Sequence, residues 1–283
     1  MRIVVPLDQS PVAEQSLPWA AALAMALGAP VHLVSVYRSD EDFWAYSDLD
    51  PGKPIREGSE TIPAYLDAVA RSAPLAGVKV TTEVRTGDVP EQIVAAASEG
   101  DTKLVVITTR GRGGFTGRGF GSVADKLVRS LRQPVLVVNP DGGAVSFDRI
   151  LVPVAGSTES EAALGLARDV AGATGGVLHL LRVIEPDTDW AIRDEEYDAY
   201  VDQVTDRATR YVQRLAREGD MSVVLHGRPE AIIPEYARGN RCALIVMATH
   251  GWSGAIRLEM GSVADAVVRS GEVPVMLVRV PVE

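Results

Sequence analysis

Residues 109–122 carry the densest chemical signal in the chain: Thr109-Arg-Gly111-Arg112-Gly-Gly114-Phe-Thr-Gly-Arg-Gly-Phe-Gly121-Ser122. Glycine lacks a Cβ and reaches unusual φ values, so successive backbone N–H groups can turn toward one bound oxyanion. The run ends where a helix is predicted to begin. A helix N-terminus offers unpaired N–H groups and a partial positive charge, which favours phosphate. Arg110, Arg112 and Arg118 add local positive charge to a chain of formal charge −10. A plainer reading is a surface loop in which Ser122 caps the helix and Asp125 completes a capping box. Against it stands a second Gly-x9-Gly-Ser segment, running from Gly251 to Gly261-Ser262 and containing Gly254.

That second segment belongs to a repeat, the first feature to test in any sequence. IVVPLDQS at 3–10 matches ILVPVAGS at 150–157, and VHLVSV at 31–36 matches VLHLLRV at 177–183. LVVITTRG at 104–111 matches LIVMATHG at 244–251. GSVAD occurs at 121–125 and 261–265, and PVLVV at 134–138 matches PVMLV at 274–278. The landmarks keep their order, and the second copy is shorter by about seven residues. Two domains are therefore expected, at 1–140 and 148–283. The short Gly-containing segment 141–147 is the expected linker.

Each copy reads as alternating strands and helices. Apolar runs such as Ile3–Leu7, Leu104–Thr108 and Val135–Val138 imply strands buried on both faces, as in a parallel sheet. Ala163, Leu166, Ala167 and Val170 form one helical stripe, and Val123, Leu127, Val128 and Leu131 another. Thr158-x-x-Glu161 suggests a capping box. Pro18 falls inside the expected first helix and should kink it. The predicted class is α/β: two Rossmann-like doubly wound domains, each a five-stranded parallel sheet flanked by helices. In such a sheet, ligands bind beyond the carboxyl ends of the strands where strand order reverses. Pro6-Leu-Asp8-Gln-Ser10, the end of the second strand near Val36, and the glycine segment should converge there. No G-x4-G-K-[ST] occurs, and no G-x-G-x-x-G follows the first strand, which excludes a P-loop and an ordinary NAD site.

Composition narrows the function classes. Hydrophobic residues at 46% and charged residues at 23% fit a full globular core. The negative charge disfavours a nucleic-acid partner, and no apolar run is long enough to cross a bilayer. Cys242 is the only cysteine, so no intrachain disulfide can form. The opening Met-Arg-Ile-Val-Val-Pro runs straight into a strand pattern with no signal-peptide character, so the cytoplasm is the expected compartment.

The combined motifs resemble the universal stress protein family, in tandem. Its signature is G-x2-G-x9-G-[ST] after the fourth strand, with P-x-D-x-S after the first. Copy one matches at Pro6, Asp8, Ser10, Gly111, Gly121 and Ser122, with Thr108 at the signature's first glycine. Copy two matches at Gly251, Gly261 and Ser262, with Ala248 at that first glycine and Ala155 where copy one has Asp8. The resemblance implies ATP as ligand, with Mg²⁺ or Mn²⁺ carried on its phosphates. It implies that Asp8 contacts the nucleoside and that the Val36 backbone reads the adenine edge. Gly111, Arg112, Gly114, Gly121, Ser122 and Val123 would lie along the phosphates. Val183, Gly251, Gly254, Gly261, Ser262 and Val263 are the corresponding set in copy two. The sites should be unequal, with copy one tighter. The resemblance also implies that the terminal strands pair the halves as a pseudo-dimer, or pair two chains as a homodimer.

Other residues have plainer readings. His32 and His179 fall within second strands and read as structural, and Cys242 as a core thiol. His250 reads equally as a phosphate or ribose contact and as a strand-end residue. Trp44 and Tyr46 form either a lid or a self-packed loop. Asp194–Glu218 is a charged helix with a solvated face. No His or carboxylate cluster has metal-site spacing. Three functions follow: an ATP-binding stress-response regulator with an unidentified protein partner, a slow ATP hydrolase or adenylyl-transfer enzyme, and an interaction module that binds no nucleotide.

Overall fold

A computed structural model describes residues 1–37, 56–109, 120–140, 144–185, 195–249 and 260–279. The chain divides into two compact units, Met1–Val145 and Ser146–Glu283. Among the described residues, no helix is long and apolar enough to cross a membrane.

The first unit runs β1 (Arg2–Pro6), α1 (Pro11–Glu14), α2 (Leu17–Leu27), β2 (Val31–Tyr37), α3 (Arg56–Ala70), a short 3-10 turn (Ala73–Leu75), β3 (Val80–Thr86), α4 (Val89–Ser98), β4 (Thr102–Thr108), α5 (Ser122–Ser130) and β5 (Val135–Val138). Its strands are parallel in the order β3-β2-β1-β4-β5. The second unit repeats the plan with β6 (Arg149–Pro153), α6 (Thr158–Glu161), α7 (Ala163–Thr174), β7 (Val177–Ile184), α8 (Glu195–Leu215), β8 (Met221–His226), α9 (Pro229–Gly239), β9 (Leu244–Ala248), α10 (Ser262–Ser270) and β10 (Val275–Val278). Its parallel order is β8-β7-β6-β9-β10.

Burial explains why the apolar runs become strands. Ile3, Val4 and Val5 of β1 and Leu104, Val105 and Val106 of β4 are all 0% exposed, so both faces of the central strands are covered. The outer strands β3 and β8 mix exposed with half-buried residues. In the first unit α2 packs on β1 and β2, α3 on β2 and β3, and α4 against α5. The chain leaves β1 toward β2 and returns from β3 to β4, so strand order reverses between β1 and β4. The equivalent reversal in the second unit lies between β6 and β9.

Two local expectations are corrected. The expected single first helix is two helices, with Ser16 N donating to Ala13 O at 3.1 Å where the first ends. Pro18 lies in the first turn of α2, where a missing N–H costs little, and does not kink a helix interior. Proline does not cause the break, because α6 gives way to α7 at Ala162 with no proline present. The cap of α6 is Ser157, one residue before the expected Thr158. Its extended backbone lets its Oγ accept from Ser160 N at 3.3 Å.

Two glycines of the second unit should respond oppositely to alanine. A Cβ on Gly176 would lie 2.0 Å from the Phe147 carbonyl oxygen, whereas one on Gly172, inside α7, would meet nothing within 4 Å. Gly176→Ala must displace backbone and should cost about 1–3 kcal/mol. Gly172→Ala should gain about 1 kcal/mol through helix propensity. Denaturant midpoints shifting in the same direction for both variants would contradict this packing.

Candidate functional site

The carboxyl end of β1 opens into a hydrogen-bonded turn. Leu7 N donates to Val34 O at 2.8 Å, the last rung toward β2. Gln9 then takes a left-handed φ of 64°. Asp8 Oδ1 accepts from Ser10 N at 3.0 Å and from Ser10 Oγ at 2.5 Å. Ser10 Oγ in turn accepts from Ala13 N at 3.1 Å, capping α1. One oxygen of the Asp8 carboxylate therefore organises the turn.

Strand order places Val36, near the end of β2, on one side of this turn and Thr108, the last residue of β4, on the other. Thr108 and Thr109 are both buried. Thr109 N donates to Val138 O at 3.0 Å, and Thr109 O accepts from Gly121 N at 2.8 Å. The chain thus returns to its departure point just as α5 starts. Gly121 is the N-cap, with φ −66° and ψ 147°, and as a glycine it offers no side-chain cap of its own. The expected Ser122–Asp125 capping box is not formed. Ser122 is already the first helical residue, and Asp125 Oδ2 accepts from Arg129 Nε at 2.9 Å one turn on. Ser122 and Val123 hold the N-terminal positions where helix amides have no intrahelical partner.

The second unit reproduces this frame bond for bond. Thr249 N donates to Val278 O at 3.0 Å and Gly261 N to Thr249 O at 2.8 Å. Gly261 caps α10 without a side-chain bond, followed by Ser262 and Val263. Ala248 closes β9, and Val183 is buried in β7. Val154 N donates to Leu181 O at 2.9 Å, as Leu7 does to Val34. Pro6, Asp8, Ser10, Val36, Thr108, Gly121, Ser122 and Val123 thus belong to one pole of the first sheet. Val183, Ala248, Gly261, Ser262 and Val263 belong to the same pole of the second. Gly111, Arg112, Gly114, Gly251 and Gly254 lie outside the described residues, as do Arg110, Arg118, His250, Trp44 and Tyr46.

Sequence reasoning missed a tyrosine–glutamate pair at each pole. Tyr65 OH of α3 donates to Glu14 Oε1 at 3.0 Å, and Tyr211 OH of α8 donates to Glu161 Oε1 at 3.0 Å. Burial, then the Glu161 contact, pushes the Tyr211 phenol up to about 12. The only available signal was the recurrence of both residue types at matching places in the repeat. Ser160 was missed as well. It carries a hydroxyl where the first unit has Ala13.

His32, His179 and Cys242 lie toward the amino ends of their strands, away from this pole. His32 Nδ1 meets Thr81 Oγ1 at 2.8 Å and its Nε2 meets Glu83 Oε2 at 2.9 Å. His179 Nδ1 meets Tyr236 OH at 2.9 Å, with the two rings edge to face. Burial, then the Arg149 charge, pushes His179 below the usual histidine range. Cys242 lies just before β9, 4% exposed, and burial raises its thiol to about 11. Among the described residues, no group of three or more His, Cys, Asp or Glu is arranged to hold a metal ion.

These features define a two-unit α/β protein whose doubly wound sheets each present a helix N-terminus that starts at a glycine, beside the first strand's turn. The universal stress protein family profile matches residues 1–139 and again 146–279. The chain belongs to that family and carries two of its domains in tandem. A universal stress protein of Mycobacterium tuberculosis is 27% identical over 309 residues, covering 99% of this chain and 95% of the relative. A second from the same species is 26% identical over 292 residues, covering 98% and 96%. Among solved structures, a universal stress protein from Archaeoglobus fulgidus superposes with a TM-score of 0.72 at 22% identity, covering 98% of each chain.

Cys242 provides a direct check on this burial. With its pKa near 11 and almost no exposed surface, the thiol stays protonated and shielded at mildly alkaline pH. Native protein should resist alkylation by iodoacetamide at pH 8, and denatured protein should be labelled to completion. Rapid labelling of the native state would refute the packing around β9.

Proposed function

We propose that the chain binds an adenine nucleotide, ATP in the first instance, at the carboxyl pole of its first unit. The second unit is a weaker site, and occupancy serves regulation in place of a committed reaction. One observation carries this reading. In each unit a helix begins at an extended glycine with no side-chain cap, next to the turn that leaves the first strand. Helix N-termini left without a cap are suited to an oxyanion. In the first unit the neighbouring turn holds a carboxylate, Asp8, which can accept hydrogen bonds from a nucleoside hydroxyl or amine. The second unit has Ala155 there, so its site loses that acceptor.

The residues fit the ligand class. Ser122 and Val123 would hold phosphate through backbone amides, Asp8 the nucleoside, and Val36 the base edge through its main chain. Mg²⁺ or Mn²⁺ would travel on the phosphates. Ligand contact at a helix start and at the β1 turn links two elements of the unit, the kind of change that biases a partner surface. The hydrolase or transferase alternative gains little from the described residues. The cysteine is buried, and both described strand histidines, His32 and His179, are occupied by neighbouring side chains.

Calorimetric titration of the full chain with ATP tests the assignment. Asp8→Ala should raise the Kd of the tighter site about ten- to a hundredfold, the worth of a hydrogen bond to a charged group. It should also cost about 1 kcal/mol of stability, because the turn loses its acceptor. Gly121→Val suits the local backbone, whose φ is −66°, and should block phosphate approach with the fold intact. Titrations unchanged in both variants would remove the first unit as the site.

A further inference from the structure

The two first-strand turns keep one backbone shape by different means. Asp8, Gln9, Ser10, Ala13 and Glu14 of the first unit correspond to Ala155, Gly156, Ser157, Ser160 and Glu161 of the second. The carboxylate disappears at one position, and a hydroxyl appears five residues later. Ser160 is 4% exposed. Its Oγ accepts from Ala155 N at 3.0 Å and donates to Ser157 O at 2.7 Å. It therefore bonds both arms of the turn from within.

We propose that Ser160 is the positioning residue that rebuilds the ligand turn of the second unit in place of the Asp8 carboxylate. The second unit is then left with a preformed nucleotide site that lacks the first-strand carboxylate, and not a vestige. This inference rests on the nucleotide reading above. Three further observations support it. Gly156 takes φ 88° where Gln9 takes 64°, so the left-handed step is kept, with a residue that adopts it freely. The Tyr211 hydroxyl donates to Glu161, the residue after Ser160, at 3.0 Å, tying α8 to this short helix. The frame around β9 and α10 is unchanged from the first unit, with Gly261 N to Thr249 O at 2.8 Å. A vestigial turn has no need of a buried hydroxyl bonded to both of its arms.

The roles separate by charge. Asp8 organises its turn and offers a carboxylate to a ligand. Ser160 spends its acceptor on Ala155 N and its donor on Ser157 O. The second site must then draw its affinity from the phosphate end.

The test uses the full chain with the first site disabled by Gly121→Val, so that ATP titration reads the second site. Ser160→Ala should raise the Kd for ATP about tenfold and speed hydrogen exchange of the Ala155 amide, read by NMR without nucleotide, by a similar factor. Ser160→Thr, which restores the hydroxyl, should recover both. A gain-of-structure variant covers the case in which Ser160→Ala fails to fold. Adding Ala13→Ser to Asp8→Ala should slow exchange of the position-8 amide relative to Asp8→Ala alone, by supplying the bond that Ser160 gives to Ala155 N. Unchanged exchange in Ser160→Ala, or no recovery in the Ala13→Ser double variant, overturns the positioning role and leaves the first unit's nucleotide reading standing. Faster exchange in a protein whose wild type takes up no ATP at either unit overturns the nucleotide reading, and with it the ligand proposed here.

Discussion

The hydrogen bond from Gly121 N to Thr109 O, repeated from Gly261 N to Thr249 O, is the constraint on which each pole depends. Both are 2.8 Å long, and both accepting residues are buried. Each returns the chain, after an excursion of about ten residues, to the end of a central strand. Closing a segment of that length costs roughly 2 kcal/mol in chain entropy, and one such bond returns about 1 kcal/mol net. The bond alone does not hold the loop ends together. The helix that follows and its strand supply the difference, with Leu127, Val128 and Leu136 packed into the first core. The geometry of the pole is thus secured by the core.

This division explains what the sequence made legible. Strands appear as apolar runs because both faces are buried, and Val4, Val105 and Leu151 needed no tertiary knowledge. The helical stripe Val123, Leu127, Val128 and Leu131 was equally plain. All but Val123 are 2% exposed or less. The helix caps were less legible. Ser122 and Thr158 have the chemistry of a cap, yet the position goes to the residue before each, Gly121 and Ser157. A cap is decided by which residue keeps an extended backbone while the next turns helical. Side-chain type narrows that choice to two neighbours and no further.

Ser160 and the tyrosines were illegible for a different reason. A serine one turn into a helix usually competes with the backbone or faces solvent. Here its hydroxyl points back into the turn, accepting from Ala155 N and donating to Ser157 O. Tyr211 meets Glu161 across fifty residues of chain, at a distance no local pattern encodes. The expected loss of Asp8 at Ala155 was readable. Its compensation at Ser160 was not, since compensation is a relation between side chains in space.

The histidines show the same logic away from the site. His32 and His179 occupy matching strand positions, each opposite its neighbouring β-strand, and both are buried. One is satisfied by Thr81 and Glu83 on the adjacent strand, the other by Tyr236 on a helix. A buried polar group must be paired, but the protein is indifferent to the partner. The two halves therefore share a main-chain frame and part of their side-chain bonding, and differ at these strand histidines. For a nucleotide site the distinction matters. A carboxylate near a bound polyphosphate is helpful only where its hydrogen bonds to the neutral nucleoside outweigh its repulsion of the phosphates. That repulsion fades over a screening length of about 8 Å at physiological salt. Replacing the carboxylate by a buried hydroxyl removes both effects and keeps the turn. On the proposed reading, identical frames with opposite choices at this position would give one chain two sites of different selectivity.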